Sequence, residues 1–279
     1  MTQSENKADQ GSASLQRDIQ QRQDQMDQQG PRASTRGKNS EAVQTSDHPY
    51  PATPMPAQHL DKPGLEAQMR QKPEFLAPDY CGSGKLAGMA ALITGGDSGI
   101  GRAVAHQAHE RFGRLDILVN NAAFQEHADK LTNLTEERFD LTMKTNVYGY
   151  FHMAKVVLPY LRRGASIINT GSVTGLQGSG HLLDYSTTKG AIHAFTKSLA
   201  SNLLDQGIRV NAVAPGPVWT PLNPADASPE KITRFGADTD MKRPAQPQEL
   251  SPSYVFLAAP CCASYITGIV LPVTGSVGG

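Results

Sequence analysis

Apolar positions are thin over the first 56 residues and then gather into short runs bounded by glycine, a change that divides the chain. Residues 1–56 carry Gln20, Gln21, Gln23, Gln25, Gln28 and Gln29 and end in Pro51, Pro54 and Pro56. So few apolar side chains cannot offset the entropy of ordering, and a disordered tail is expected there. Residues 57–88 hold scattered anchors (Leu60, Leu65, Met69, Phe75, Leu76 and Tyr80) and are expected to form an irregular arm over a body spanning 89–279. In that body the continuous apolar run Ala90–Thr94, ending in glycines, predicts a buried parallel strand. Leu115–Val119 repeats the pattern, and Ser166–Thr170, Gly207–Ala214 and Gly268–Pro272 predict three more strands. Between them lie predicted helices: one from Thr135 to about Arg162, closed by Gly164, then Tyr185–Leu204, then Glu249 to about Ala258. Strands alternating with helices predict an α/β fold with a parallel sheet.

Composition narrows the function. The chain has 279 residues, a formal net charge of +0 and a pI near 7.1. A neutral chain gives no support for nucleic acid or an anionic membrane as partner. No apolar run approaches the roughly 18 residues a membrane span needs, and the polar start Met-Thr-Gln-Ser-Glu-Asn-Lys is no secretory signal. Cys81, Cys261 and Cys262 lack metal or redox spacing, so no metal is expected and the thiols are expected to be buried or half-buried. A cytoplasmic setting is the expectation.

Three groups of residues carry chemistry. Thr94-Gly95-Gly96-Asp97-Ser98-Gly99-Ile100-Gly101 directly follows a predicted strand, where glycines let backbone N–H groups approach a pyrophosphate. A glycine cluster alone is as easily an ordinary loop. Asn120-Asn121-Ala122-Ala123 ends the next strand, at the edge where parallel sheets bind ligands; alone it would read as an Asn-rich turn. Tyr185 and Lys189, spaced i,i+4, share one helix face, and an ammonium beside a phenol favours phenolate. Ser172, just past a strand's carboxyl end, can hold a substrate oxygen.

In this order, TGGDSGIG, NNAA, Asn146 in a long helix, Ser172, YSTTK and PGPVWTP resemble the short-chain dehydrogenase/reductase family over about residues 90–274. The arm HLDKPGLEAQMRQKPEFLAPDYCGSGKL is similar to that of bacterial stress-associated oxidoreductases with extended N-termini. The resemblance implies a Rossmann-like doubly wound sheet, NAD or NADP as cofactor, an alcohol or carbonyl substrate, and a homotetramer. It implies Tyr185 as proton donor or acceptor, Lys189 holding the nicotinamide ribose and lowering the Tyr185 pKa, Ser172 positioning the substrate oxygen, and Asn146 anchoring a relay water. Gly95, Ser98, Gly99, Ile100 and Gly101 would cradle the pyrophosphate, and Asn121 and Ala122 would lie under the adenosine. Pro215, Gly216, Val218 and Thr220 would hold the nicotinamide.

One departure stands out. A complete dinucleotide half needs β-α-β-α-β, yet only residues 102–114 separate Gly101 from Leu115. The second and third strands are expected to be missing, roughly 60 residues. Asp116 begins its strand, whereas a ribose-gripping acid must end one, so it cannot replace them. The family order 3-2-1-4-5-6-7 would become 1-4-5-6-7, with the first strand an edge and its crossover re-aimed. Two functions remain: an oxidoreductase acting through Tyr185, or a non-catalytic deletion remnant or mis-called gene product with impaired cofactor binding.

Overall fold

The computed structural model describes residues 42–95 and 115–276, along with Gln21 and Gln25. The apolar runs form five parallel strands: β1 (Ala91–Ile93), β2 (Leu115–Asn120), β3 (Leu161–Thr170), β4 (Arg209–Pro215) and β5 (Val270–Val273). They lie side by side in chain order, β1-β2-β3-β4-β5, as expected for a sheet that has lost the strands beyond the first. Among the described residues β1 is an edge, and its Leu92 is 39% exposed. Asp116 is structural: its carboxylate accepts from the Ala90 N–H at 2.9 Å, tying the start of β1 to β2. The connection between these strands, with its expected crossover, lies outside the described residues.

The helix α1 (Glu136–Met143) starts at Thr135, whose hydroxyl accepts from the Arg138 N–H, with Glu136 and Glu137 in the positive first turn. It runs through a π turn, Lys144–Tyr148, into α2 (Gly149–Val157). The expected end near Arg162 is corrected to Val157. Pro159 lacks an N–H and its ring collides with the carbonyl four residues back, so the α-helix cannot continue. Leu161 and Arg162, expected to be helical, instead open β3, which is irregular between the Leu161–Leu115 and Ser166–Ile117 pairs. Further helices are α3 (Thr174–Gln177), α4 (Leu183–Asn202), α5 (Pro229–Thr233), α6 (Pro247–Ala258) and α7 (Pro260–Ala263).

Side chains alternate across the strands and so build two cores. On one face Ile117, Val119, Ile168 and Val213 pack against Leu250, Tyr254 and Leu257 of α6. On the other, Leu118, Ile167 and Val210 pack against Ala154 and Val157 of α2 and Ala200 of α4. Cys81 and Cys261 are exposed and Cys262 is half-buried, so the expectation of buried thiols holds for none but the last.

A third cluster was not expected. Met55, Leu60 and Met69 are buried against Trp219, Ala225 and Ile232 of the 217–244 segment. Backbone bonds run from the Val43 N–H to the Met241 carbonyl, from Met55 to Thr233 and from Leu60 to Pro224, at 2.9–3.0 Å. Residues 42–56, placed by composition in the disordered tail, are therefore part of the packed arm. Of the expected anchors, Leu60 and Met69 are buried, while Leu65, Leu76 and Tyr80 are exposed. Removing a buried methionine side chain costs about 2–5 kcal/mol. A chain beginning at residue 57 should thus melt several degrees below one beginning at residue 42 in scanning calorimetry. Equal midpoints would contradict the packing of Met55.

Candidate active site

The catalytic candidates converge where β3 ends and α4 begins. Thr170, the last residue of β3, presents its carbonyl to Lys189 Nζ at 2.7 Å and to the Tyr150 hydroxyl at 3.2 Å. Its own hydroxyl donates to Asn121 Oδ1 at 3.2 Å and lies 2.8 Å from the Tyr254 hydroxyl. Lys189 Nζ also sits 5.4 Å from the Tyr185 ring centroid and 5.6 Å from that of Tyr150. The helical i,i+4 spacing has therefore placed Tyr185 and Lys189 together, as expected. Ser172 Oγ accepts from the Thr174 N–H at 3.2 Å and from the Thr174 hydroxyl at 3.1 Å.

Asn146 lies in the π turn, a helix irregularity often found at functional sites, and is fully buried. Its Oδ1 accepts from the Phe124 N–H at 2.7 Å, and its Nδ2 donates to the Phe124 carbonyl at 2.9 Å and to Thr188 Oγ1 at 3.0 Å. The side chain thus stitches the segment that follows β2 onto the helix that carries Tyr185.

Burial governs the electrostatics. It pushes the Tyr185 phenol up to about 12, the Ser172 hydroxyl only partly opposing it, and lowers Lys189 to about 7. The expectation that Lys189 depresses Tyr185 is corrected here: both groups favour their neutral forms because both are desolvated. The consequence for stability has a definite sign. Below pH 7 the folded chain holds a charged, buried Lys189; between 7 and its ordinary 10.5 the unfolded chain binds the extra proton, so stability rises with pH. Tyr185 contributes stability below 10 that is lost between 10 and 12. The thermal midpoint should climb from pH 7 toward pH 10 and then fall. Lys189→Met should flatten the climb and raise the midpoint at pH 7; a calorimetric series in which the two chains run parallel would refute this.

The residues suit the nicotinamide half of a dinucleotide. One cavity of about 600 Å³ is lined by Gly95, Asn121 and Ala122, by Ser172, Tyr185 and Lys189, and by Pro215, Gly216, Val218 and Thr220. Gly95 has φ +62°, and a Cβ there would stand 3.1 Å from Ala122 Cα; one on Gly216 would stand 2.9 Å from Thr274. Glycine at both positions lets the backbone pass this close to Ala122 and Thr274. Thr94 Oγ1 accepts from the N–H groups of Asn121 and Ala122 at 2.9 and 3.1 Å, locking the β1 turn beside β2. Ser98, Gly99, Ile100 and Gly101 lie outside the described residues. Gln125 and His127, which also line the cavity, were not among the expected site residues, and the arm residues Pro63–Leu65 were expected only to lie over the body. Gln125 and His127 sit in no recognisable motif.

A family profile described as Enoyl-(Acyl carrier protein) reductase matches residues 97–277. This chain belongs to the short-chain dehydrogenase/reductase family. Among curated members it is similar to the "Uncharacterized oxidoreductase YhdF" of Bacillus subtilis (strain 168), 43% identical over 271 residues, covering 78% of this chain and 93% of that protein. Since 78% of 279 residues is about 218, roughly fifty of the 271 aligned positions face no residue here, the deficit expected from two lost strands and their helices. The "NADPH-dependent aldehyde reductase 1, chloroplastic" of Arabidopsis thaliana is 40% identical over 272 residues, covering 77% and 94%. Among solved structures, the 3-ketoacyl-(acyl-carrier-protein) reductase from Brucella melitensis complexed with NADH aligns with a TM-score of 0.61 and 26% identity, covering 68% and 98%. Among the described residues no helix of this family member is long and apolar enough to cross a membrane.

Proposed function

We propose that this family member interconverts an alcohol and an aldehyde or ketone with NAD(H) or NADP(H), using Tyr185 as the acid/base. The observation that carries this reading is the meeting of Ser172, Tyr185 and Lys189 with the glycine cradles in one cavity. A bound nicotinamide would supply or accept the hydride. Ser172 Oγ and the Tyr185 hydroxyl would hold the substrate oxygen. Tyr185 keeps its proton to about pH 12, so it would donate that proton as a carbonyl becomes an alcohol. Lys189, anchored on the Thr170 carbonyl, would offer an N–H to the ribose. Cytoplasmic location and a homotetramer belong to the same reading; the exposed Tyr148, Phe151, Val156 and Tyr160 offer an apolar face along α2 and its ends for assembly.

The missing strands favour a second reading, a remnant that no longer holds cofactor. One experiment separates the two: equilibrium titration with NADH and NADPH, followed by carbonyl reduction assays on small aldehydes. Saturable binding with turnover supports the enzyme. No binding up to millimolar cofactor, and no turnover, would overturn it in favour of the remnant.

A further inference from the structure

The arm does more than cover the body. Pro63, Gly64 and Leu65 line the same cavity as Ser172 and Tyr185. Gly64 has φ +85°, and a Cβ on it would stand 2.6 Å from the Pro221 carbonyl oxygen and 2.8 Å from Ala225 Cβ, so the arm presses on the 217–244 segment with no space between. Beside it Lys62 reaches inward, its side chain 5% exposed. Lys62 Nζ lies 3.6 Å from Oδ1 of the wholly buried Asp226, donates to the Gln125 carbonyl at 3.2 Å and sits 5.6 Å from the Phe124 ring centroid.

Asp226 gathers the cavity wall. It accepts from Gln125 Nε2 at 2.8 Å, the His127 N–H at 2.9 Å and His127 Nδ1 at 2.5 Å. Burial pushes this carboxyl up, but His127, Lys62 and Gln125 together hold it well below the usual range, so it stays an anion. An anion on Nδ1 keeps the proton there and leaves Nε2 of His127, a cavity-lining residue, as the ring atom with capacity to spare. From behind, Arg138 donates to the His127 carbonyl at 3.0 Å and pairs with Asp184 at 3.3 Å, which fixes the backbone of the wall. A buried ion pair is by itself a poor source of net stability, so a Lys–Asp pair one residue's reach from the cavity calls for a positional reason.

We propose that the N-terminal arm builds the specificity wall of the substrate pocket, with Lys62 and Asp226 as positioning residues that aim His127 at an oxygen on the substrate beyond its reacting carbon. The substrate class is a hydroxyl-bearing aldehyde or ketone, or the corresponding polyol. This rests on the carbonyl–alcohol reading above. A site built to hydrogen-bond a hydroxyl discriminates against the analogue lacking it, because its polar group is then left unpaired in a dry pocket.

The full chain tests this with matched compounds. For turnover, glyceraldehyde is compared with propanal; for binding without cofactor or chemistry, glycerol is compared with 1-propanol by saturation-transfer NMR. The native chain should prefer the hydroxylated member by roughly tenfold or more in kcat/KM and in binding. His127→Phe should bring both ratios toward one. Lys62→Met should do the same, and Lys62→Arg should restore them, which a merely structural loss would not. Ratios that are equal in the native chain, or unmoved by His127→Phe and Lys62→Met, overturn the arm's role even if both aldehydes turn over. If neither aldehyde turns over but glycerol is preferred in a His127-dependent way, the arm's role stands and the proposed reaction falls.

Discussion

Inserting the second-to-third-strand segment of a family relative between Val104 and His109 should tighten NADH or NADPH binding by roughly a hundredfold or more, about 3 kcal/mol. The reason is geometric. In the proposed reading Gly95 and Gly216 would serve the pyrophosphate and the nicotinamide, and an adenosine would need residues from strands beyond β1. The sheet stops at β1 among the described residues, with Leu92 at its open margin. Covering that edge should also raise soluble yield and the thermal midpoint. The comparison is made by equilibrium titration of the native and repaired chains. Low-micromolar affinity in the native chain would show that it has assembled an adenosine site by other means, and would refute this account.

Tyr185→Phe should lower any carbonyl reduction by two to four orders of magnitude, about the range general acid catalysis contributes. Only the hydroxyl is lost, and the ring stays packed among Lys189, Tyr150 and Ser172, so the fold should be unchanged by circular dichroism and the melting profile close to native. The elevated pKa sharpens the expectation: in the native chain reduction should not fall off through Tyr185 ionising until about pH 12. Retention of most of the rate in the variant would remove Tyr185 from the mechanism.

Local periodicity made the sheet legible, and its truncation too. Residues 102–114 leave room for one helix and no strand, and the strands that remain lie in the order this implies. The pairing of Tyr185 with Lys189 was equally legible, because i,i+4 neighbours on a helix meet whatever surrounds them. What surrounds them was not. The pKa values of the pair depend on burial, which long-range packing sets. The packed arm was hidden for a related reason. Met55, Leu60 and Met69 follow no period, and each is buried only because Trp219 and Ile232 arrive from more than 140 residues away. Taking Gly164 as the stop placed the end of α2 too late, because Pro159 lies inside the pattern. A proline inside a helical pattern is the stronger stop, since it removes a donor and adds a clash.

Trp219 is the chain's single tryptophan, and it lies wholly buried beneath the arm, its indole N–H donating to the Gln71 carbonyl at 2.9 Å and its ring 6.2 Å from that of Phe235. Nature has thus placed the one strong ultraviolet fluorophore in the seam between the arm and the 217–244 segment and none in the sheet. Its emission records the wetting of that seam, while far-ultraviolet dichroism records α4 and α6. An unfolding curve followed by tryptophan emission therefore measures the detachment of a cover, and the two optical signals coincide only if cover and sheet come apart as one.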